Sequence, residues 1–425
     1  MAIKGNLVVS EDGRTAVEAV RPDLRTCVIP EGIIEIHDQA FMGCRKLEEV
    51  TLPSSLRRIG KHAFAGCTEL TEITLPANIE AIADCAFSGI DTIKTVHFKG
   101  CLEQWLDIEF GTNTSNPCWH GADLYIEDEL VENLFFPGYV TEIGNFAFAG
   151  CRSIQLIYFS DNCETIGRGA FEGCTNLVDI NLPEGLVEID SYAFFGCTNA
   201  ACVALHPNVK KIGNGAFSNC PSIRSVEFHG GLSQWCQIDF DILGGNPCTN
   251  GSDLYFGNDL VEEVELPKRL KKVPRELFHG CTSIRKVIIR DGVESIEASA
   301  FAECRNLDEV DIPDSVAKIK QNAFERCESL LYLHMPESLQ YIGPRAFAYC
   351  ENIKHLYIPK AAKEVCLELA VREMQDFEFY CEGQPLIDWS IEWNKTNTTA
   401  RTKRAKTHLN VPRWWYEQNI ASKVV

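Results

Sequence analysis

One spacing governs this chain. An Ala-Phe or Leu-Phe pair recurs with its Phe at 41, 64 and 87, then at 148, 171, 194 and 217, then at 278, 301, 324 and 347. The step is 23 inside each block and 61 between blocks. Three residues after the Phe stands a Cys in every copy but one, where Ile90 replaces it. A sequence that repeats at this period builds by stacking, because one unit is too short to bury its own apolar side chains. The copy from Leu70 to Phe87 shows the content of a unit. Leu70, Ile73 and Leu75 mark a short strand stopped by Pro76, which lacks the N–H that a ladder needs. Ile79 and Ile82 fit a second short extended segment, and Ala-Phe-x-Gly-Cys suits one helical turn. Each covered Phe contributes about 1.5–3 kcal/mol before entropy is counted.

The two longer gaps contain a duplicated insert. Trp105 and Trp235, Cys118 and Cys248, and the tripeptides Asp123-Leu-Tyr125 and Asp253-Leu-Tyr255 are each 130 residues apart. The inserts, near 99–125 and 229–255, read as irregular coils with a projecting loop. Residues 1–23 read as an N-terminal hairpin cap turning at Asp12-Gly13, and 24–359 as a solenoid of about 14 coils. Residues 360–381 read as a C-terminal cap, with an amphipathic helix over 361–374 and a closing strand over 377–380. Residues 382–425 form a basic tail. They hold seven Lys or Arg against four Asp or Glu, and four of the seven tryptophans.

At this point the residues carry a resemblance. The phrase Leu52-Pro-x-x-Leu-x-x-Ile-Gly-x-x-Ala-Phe-x-Gly-Cys67 is similar to the BspA-like leucine-rich repeat family, over roughly residues 24 to 359. That resemblance implies a β-rich, right-handed leucine-rich repeat solenoid with short helical turns, a parallel sheet on its concave face and capped ends. It also implies protein binding, often as a surface adhesin that carries a secretion signal.

Composition narrows the function. The net charge of −20 disfavours broad binding to nucleic acid or anionic membranes. No apolar run is long enough for a membrane span. Met1-Ala-Ile-Lys-Gly lacks the apolar core of a secretory signal, and the twenty cysteines have neither CxxC pairs nor ligand spacing. These points favour a cytoplasmic protein, with the cell surface or secretion as the alternative. Cys after Phe-x-Gly reads as a small buried residue. There is no G-x-S-x-G, Walker loop or H-E-x-x-H, so neither catalysis, cofactor nor metal is expected.

Binding chemistry is sought on the strand residues that flank each middle apolar position, because alternate side chains share a face. Eight of these flanking residues are acidic and only Lys286 is basic. They predict a shallow acidic groove for a protein partner of basic character, together with the insert loops. Tyr332, His334, His355 and Tyr357 should form a two-by-two patch beside Glu309 and Asp311, open as the primary contact surface or, alternatively, buried under the folded-back tail or cap. Phe135 and Tyr158 add aromatic contacts on the same face, and aromatic side chains are enriched where interfaces concentrate their energy.

Overall fold

The structure, a computed structural model, describes residues 2–4, 7–19, 21–241, 244–362, 364–365, 378–382, 406–409 and 411–420. Met1–Ser222 and Ile223–Val425 are two compact units. Both are β-solenoid in construction, with stacked parallel strands and few helices.

In the first unit, Ala2–Lys4, Leu7–Val9 and Thr15–Ala19 form an antiparallel cap around Gly13, whose φ is +71°. Asp12 accepts from the Arg14 N–H at 3.0 Å. Thr15 and Ala16 then pair in parallel with Glu35–Ile36, so the cap edge is the template for the first coil. From there a ladder of two-residue strands runs through Arg58–Ile59, Ala81–Ile82 and Glu109–Phe110. The longer strands pair 23 residues on, as Glu72–Leu75 does with Thr95–Phe98, and Asn133–Phe135 with Leu156–Tyr158. Val50, Ile73, Leu134 and Ile157 point into the core and their neighbours point out, as the two-residue alternation requires.

The second unit repeats this plan. Glu263–Glu265, Lys286–Ile288 and Glu309–Asp311 form one ladder. Lys272–Val273, Ser295–Ile296, Lys318–Ile319, Tyr341–Ile342 and Glu364–Val365 form the other. The helix expected over 361–374 therefore begins instead as a strand at Glu364–Val365, and 366–374 lie outside the described residues. Glu378–Cys381 closes onto His355–Ile358, and Lys406–Leu409 adds a further parallel strand. Trp389, Trp393 and residues 401–405 of the tail also lie outside the described residues.

The phenylalanines stack as the period demands. Phe148, Phe171, Phe194 and Phe217 follow one another at ring separations of 5.5, 5.3 and 5.5 Å. Phe301, Phe324 and Phe347 do the same at 5.2 and 5.6 Å. The Ala-Phe-x-Gly-Cys stretch is not helical, however. It turns through two residues of positive φ per coil, such as His62 and Gly66 or Tyr192 and Gly196. Its N–H groups reach the next coil: Phe41 donates to the Ala63 carbonyl at 2.7 Å and Gly43 to that of Ala65 at 2.8 Å. Two short helices lie in the inserts, at Leu102–Leu106 and Leu232–Trp235, and a third at Arg413–Asn419.

The inserts are not projecting loops. Trp105 and Trp235 are fully buried and donate from Nε1 to the carbonyls of Ala147 and Leu277, both at 2.9 Å. Asn116 and Asn246 are buried too, and each amide bonds two carbonyls of the coil that follows. Asp123–Ile126 and Asp253–Phe256 then rejoin the main ladder. The insert is thus an enlarged coil anchored inward, because an indole N–H and an amide buried without partners would each be costly.

The spine cysteines, among them Cys67, Cys174, Cys304 and Cys350, are buried free thiols. In successive coils the thiol donates to a Phe carbonyl 26 residues earlier, as Cys67 does to Phe41 at 3.2 Å and Cys350 to Phe324 at 3.0 Å. Burial pushes the Cys67 thiol up to about 12, and those of Cys174, Cys197 and Cys304 rise by the same cause. Since the thiolate is the reactive form, iodoacetamide at pH 8 should label the more exposed Cys85 and Cys101 at least about tenfold faster than these four. Mass spectrometry of the native protein reads the order. Equal labelling would contradict the buried-thiol assignment.

Candidate functional site

Because the core takes every second strand residue, the chemistry available to a partner lies on the residues between. On the first unit the prominent feature is an aromatic pair. Phe135 and Tyr158 are register partners in adjacent parallel strands. Their rings stack at 4.5 Å with 1° between planes, yet remain 61% and 48% exposed. Leu134 and Ile157, locked in the core, fix the backbone beneath them. Beside Tyr158 a cleft of about 270 Å³ is lined by Asp161, Asp179, Asn181 and Leu156 among others. Phe135 takes no part in that lining. Glu49 and Glu72 stand exposed on the same face of their strands.

On the second unit the acidic face is partly neutralised from within. Lys286 Nζ lies 2.6 Å from Glu309, and Arg290 pairs with Glu265. The Glu309 contact raises the Lys286 pKa. Glu309 and Asp311 themselves are exposed on either side of buried Val310.

Tyr332, His334, His355 and Tyr357 sit near this pair, but they do not form an open patch. The helix Arg413–Asn419 lies on Tyr332, His334 and Tyr357, while His355 faces Tyr380 and Glu378 of the adjacent strand. Its Tyr416, 1% exposed, packs at 5.3 Å from Tyr357, 5.1 Å from Tyr380 and 6.5 Å from Tyr332. Arg413 contacts His334 and reaches Glu337 at 2.6 Å, Asp314 at 3.9 Å and Glu417 at 2.9 Å. Tyr357 is consequently 3% exposed, which corrects the expected open patch. Positions 413, 416 and 420 share one side of a helix, and Ile420 also packs against the tyrosines. Burial, then the Arg413 charge, lowers the His334 pKa. Burial also lowers that of His355, and raises the phenols of Tyr332, Tyr357 and Tyr416.

Sequence reading missed Tyr380, Arg413 and Tyr416. Tyr380 lies on the strand Glu378–Cys381, and Arg413 and Tyr416 lie three apart on the helix Arg413–Asn419. It also missed a cleft of about 550 Å³ at the first insert, lined by Trp119, Arg152, Glu172 and Phe195 among others. Burial raises the Glu172 carboxyl. Among the described residues no group of three His, Cys, Asp or Glu is placed to hold a metal. Among the described residues no helix is long and apolar enough to cross a membrane.

Stacked coils with a repeated Phe spine and one decorated strand face define a leucine-rich repeat protein. The BspA-type leucine-rich repeat region matches residues 20–114, 122–241 and 251–369 in six copies, and the chain belongs to that family. Among solved structures, a leucine-rich repeat protein of Bacteroides ovatus is 22% identical, covering 96% of this chain and 97% of that one with a TM-score of 0.48. A leucine-rich cell surface protein of Faecalibacterium prausnitzii is 18% identical, covering 98% and 96%, also at 0.48. A leucine-rich repeat protein of Eubacterium ventriosum is 16% identical, covering 81% and 93%, at 0.43. No curated protein matches.

Proposed function

We propose that this protein is a non-enzymatic scaffold that binds another protein through the outward face of its strands. The observation that carries the reading is the Phe135–Tyr158 pair, two large aromatic faces held rigid and left in water. Rigid aromatic anchors lose little entropy on binding and concentrate affinity at interfaces. Glu49, Glu72, Glu263, Glu309 and Asp311 suit a partner of basic character. The patch of Tyr332, His334, His355 and Tyr357 serves the same partner once Arg413–Asn419 has left it. The free thiols of the core fit a reducing compartment, which supports a cytoplasmic site of action.

Affinity capture from the organism that makes the protein tests this. The partner should be retained by the native chain and by Met42→Ser, which alters an exposed residue of a turn rather than of a strand. Phe135→Ser combined with Tyr158→Ser should lose it. Equal retention by the double variant would reject the strand face as the binding surface.

A further inference from the structure

We propose that the cleft beside Tyr158 is a socket for an arginine side chain of the partner, an inference that rests on the scaffold reading above. Three observations converge. Phe135 covers one face of the Tyr158 ring, and the cleft draws its lining from Tyr158 together with the next coil, so a flat group entering it meets an aromatic surface. Asp161 and Asp179 line the same cleft, and neither carboxylate has a basic partner among the described residues. A planar cation that stacks on a ring while its edge donates to carboxylates is a guanidinium; an ammonium is a point charge and does not use the ring in this way.

The third observation is that the chain already fills the equivalent place once with its own arginine. Tyr158 stands ten residues after Phe148, and His334 stands ten residues after Phe324. Asp161 corresponds by the same count to Glu337. In the second unit Arg413 meets the edge of the His334 ring at Nε2 and reaches Glu337 at 2.6 Å. In the first unit the ring and the acid are present and the arginine is not supplied from within the described residues. The Asp179 carboxylate replaces His355 at the corresponding position, which adds negative charge to the open site.

The test uses the full chain and small probes: acetyl-arginine methylamide, its lysine and citrulline counterparts, and glucose, followed through the ring NMR signals of Phe135 and Tyr158. The arginine amide should move both signals to saturation. The lysine amide should bind at least about threefold more weakly, and citrulline and glucose should leave the signals unmoved. Asp161→Asn combined with Asp179→Asn should weaken arginine binding at least about fivefold. These are surface changes, so intact dispersion of the remaining signals confirms the fold. Equal shifts with lysine or citrulline, shifts with glucose alone, or arginine binding indifferent to both Asp substitutions would overturn the socket. If capture of the partner still depends on Phe135 and Tyr158 while arginine amide fails to bind, the socket is wrong and the scaffold reading stands.

Discussion

Phe171→Ala should destabilise the first unit by about 3–5 kcal/mol, the cost typical of emptying a large buried site. Phe171 is fully buried and stacks on both sides, 5.5 Å from Phe148 and 5.3 Å from Phe194. The coils above and below are held by their own backbone ladders, so they cannot collapse into the space. Urea unfolding monitored by circular dichroism measures the loss. Val178→Ala, at an exposed position of the next coil, should stay within about 0.5 kcal/mol and serves as the control. Similar midpoints for the two variants would mean that the Phe ladder does not bear the stability assigned to it.

The second large effect belongs to a glycine. Gly150 has φ +77°, and a Cβ there would run into Trp119 Cα and the Cys118 carbonyl oxygen. Gly280 repeats the situation at φ +75° against the Cys248 carbonyl. These are the positions where each insert closes down on the next coil. Gly150→Ala should therefore cost about 2–4 kcal/mol, from the left-handed backbone plus the overlap. Gly43→Ala isolates the first contribution: its φ is +73°, but a Cβ would meet nothing within 4 Å, so about 1–2 kcal/mol is expected. Thermal denaturation of the two variants side by side reads the difference. Equal losses would show that the insert does not press on Gly150.

Residues that recur in every coil were legible in the sequence, since periodicity reports what is packed identically each time. Phe148 through Phe217, their cysteines and the paired strands are of this kind. The backbone of the Ala-Phe-x-Gly-Cys turn was not. Gly66 hints at a positive φ, but His62, Cys85 and Tyr192 adopt one without being glycine, because hydrogen bonds to the next coil hold them there. The direction of the inserts was hidden for another reason. Trp105 faces inward because its Nε1 meets the carbonyl of Ala147, 42 residues on, and no local pattern encodes that meeting.

The candidate site divides in the same way. Phe135 and Tyr158 were readable from the alternation along their strands, and they are exposed as it requires. The patch of Tyr332, His334, His355 and Tyr357 was readable as a cluster, with burial under the tail or cap as an alternative, but the residues that cover it were not. Its cover is a seven-residue helix, Arg413–Asn419, too short to show a full amphipathic period and separated from the patch by more than fifty residues. Tyr416 finds Tyr357 and Tyr380 only once the last strands have paired.

The most direct test of the stacked-coil account is a double-mutant cycle between phenylalanines. Phe148→Leu and Phe171→Leu, one coil apart, should couple by about 0.5–1.5 kcal/mol, the added worth of an aromatic contact. Phe148→Leu and Phe217→Leu, three coils apart with Phe171 and Phe194 between them, should be additive within about 0.5 kcal/mol. Additivity in both cycles, or equal coupling in both, would contradict a column of rings in which each coil touches only its neighbours.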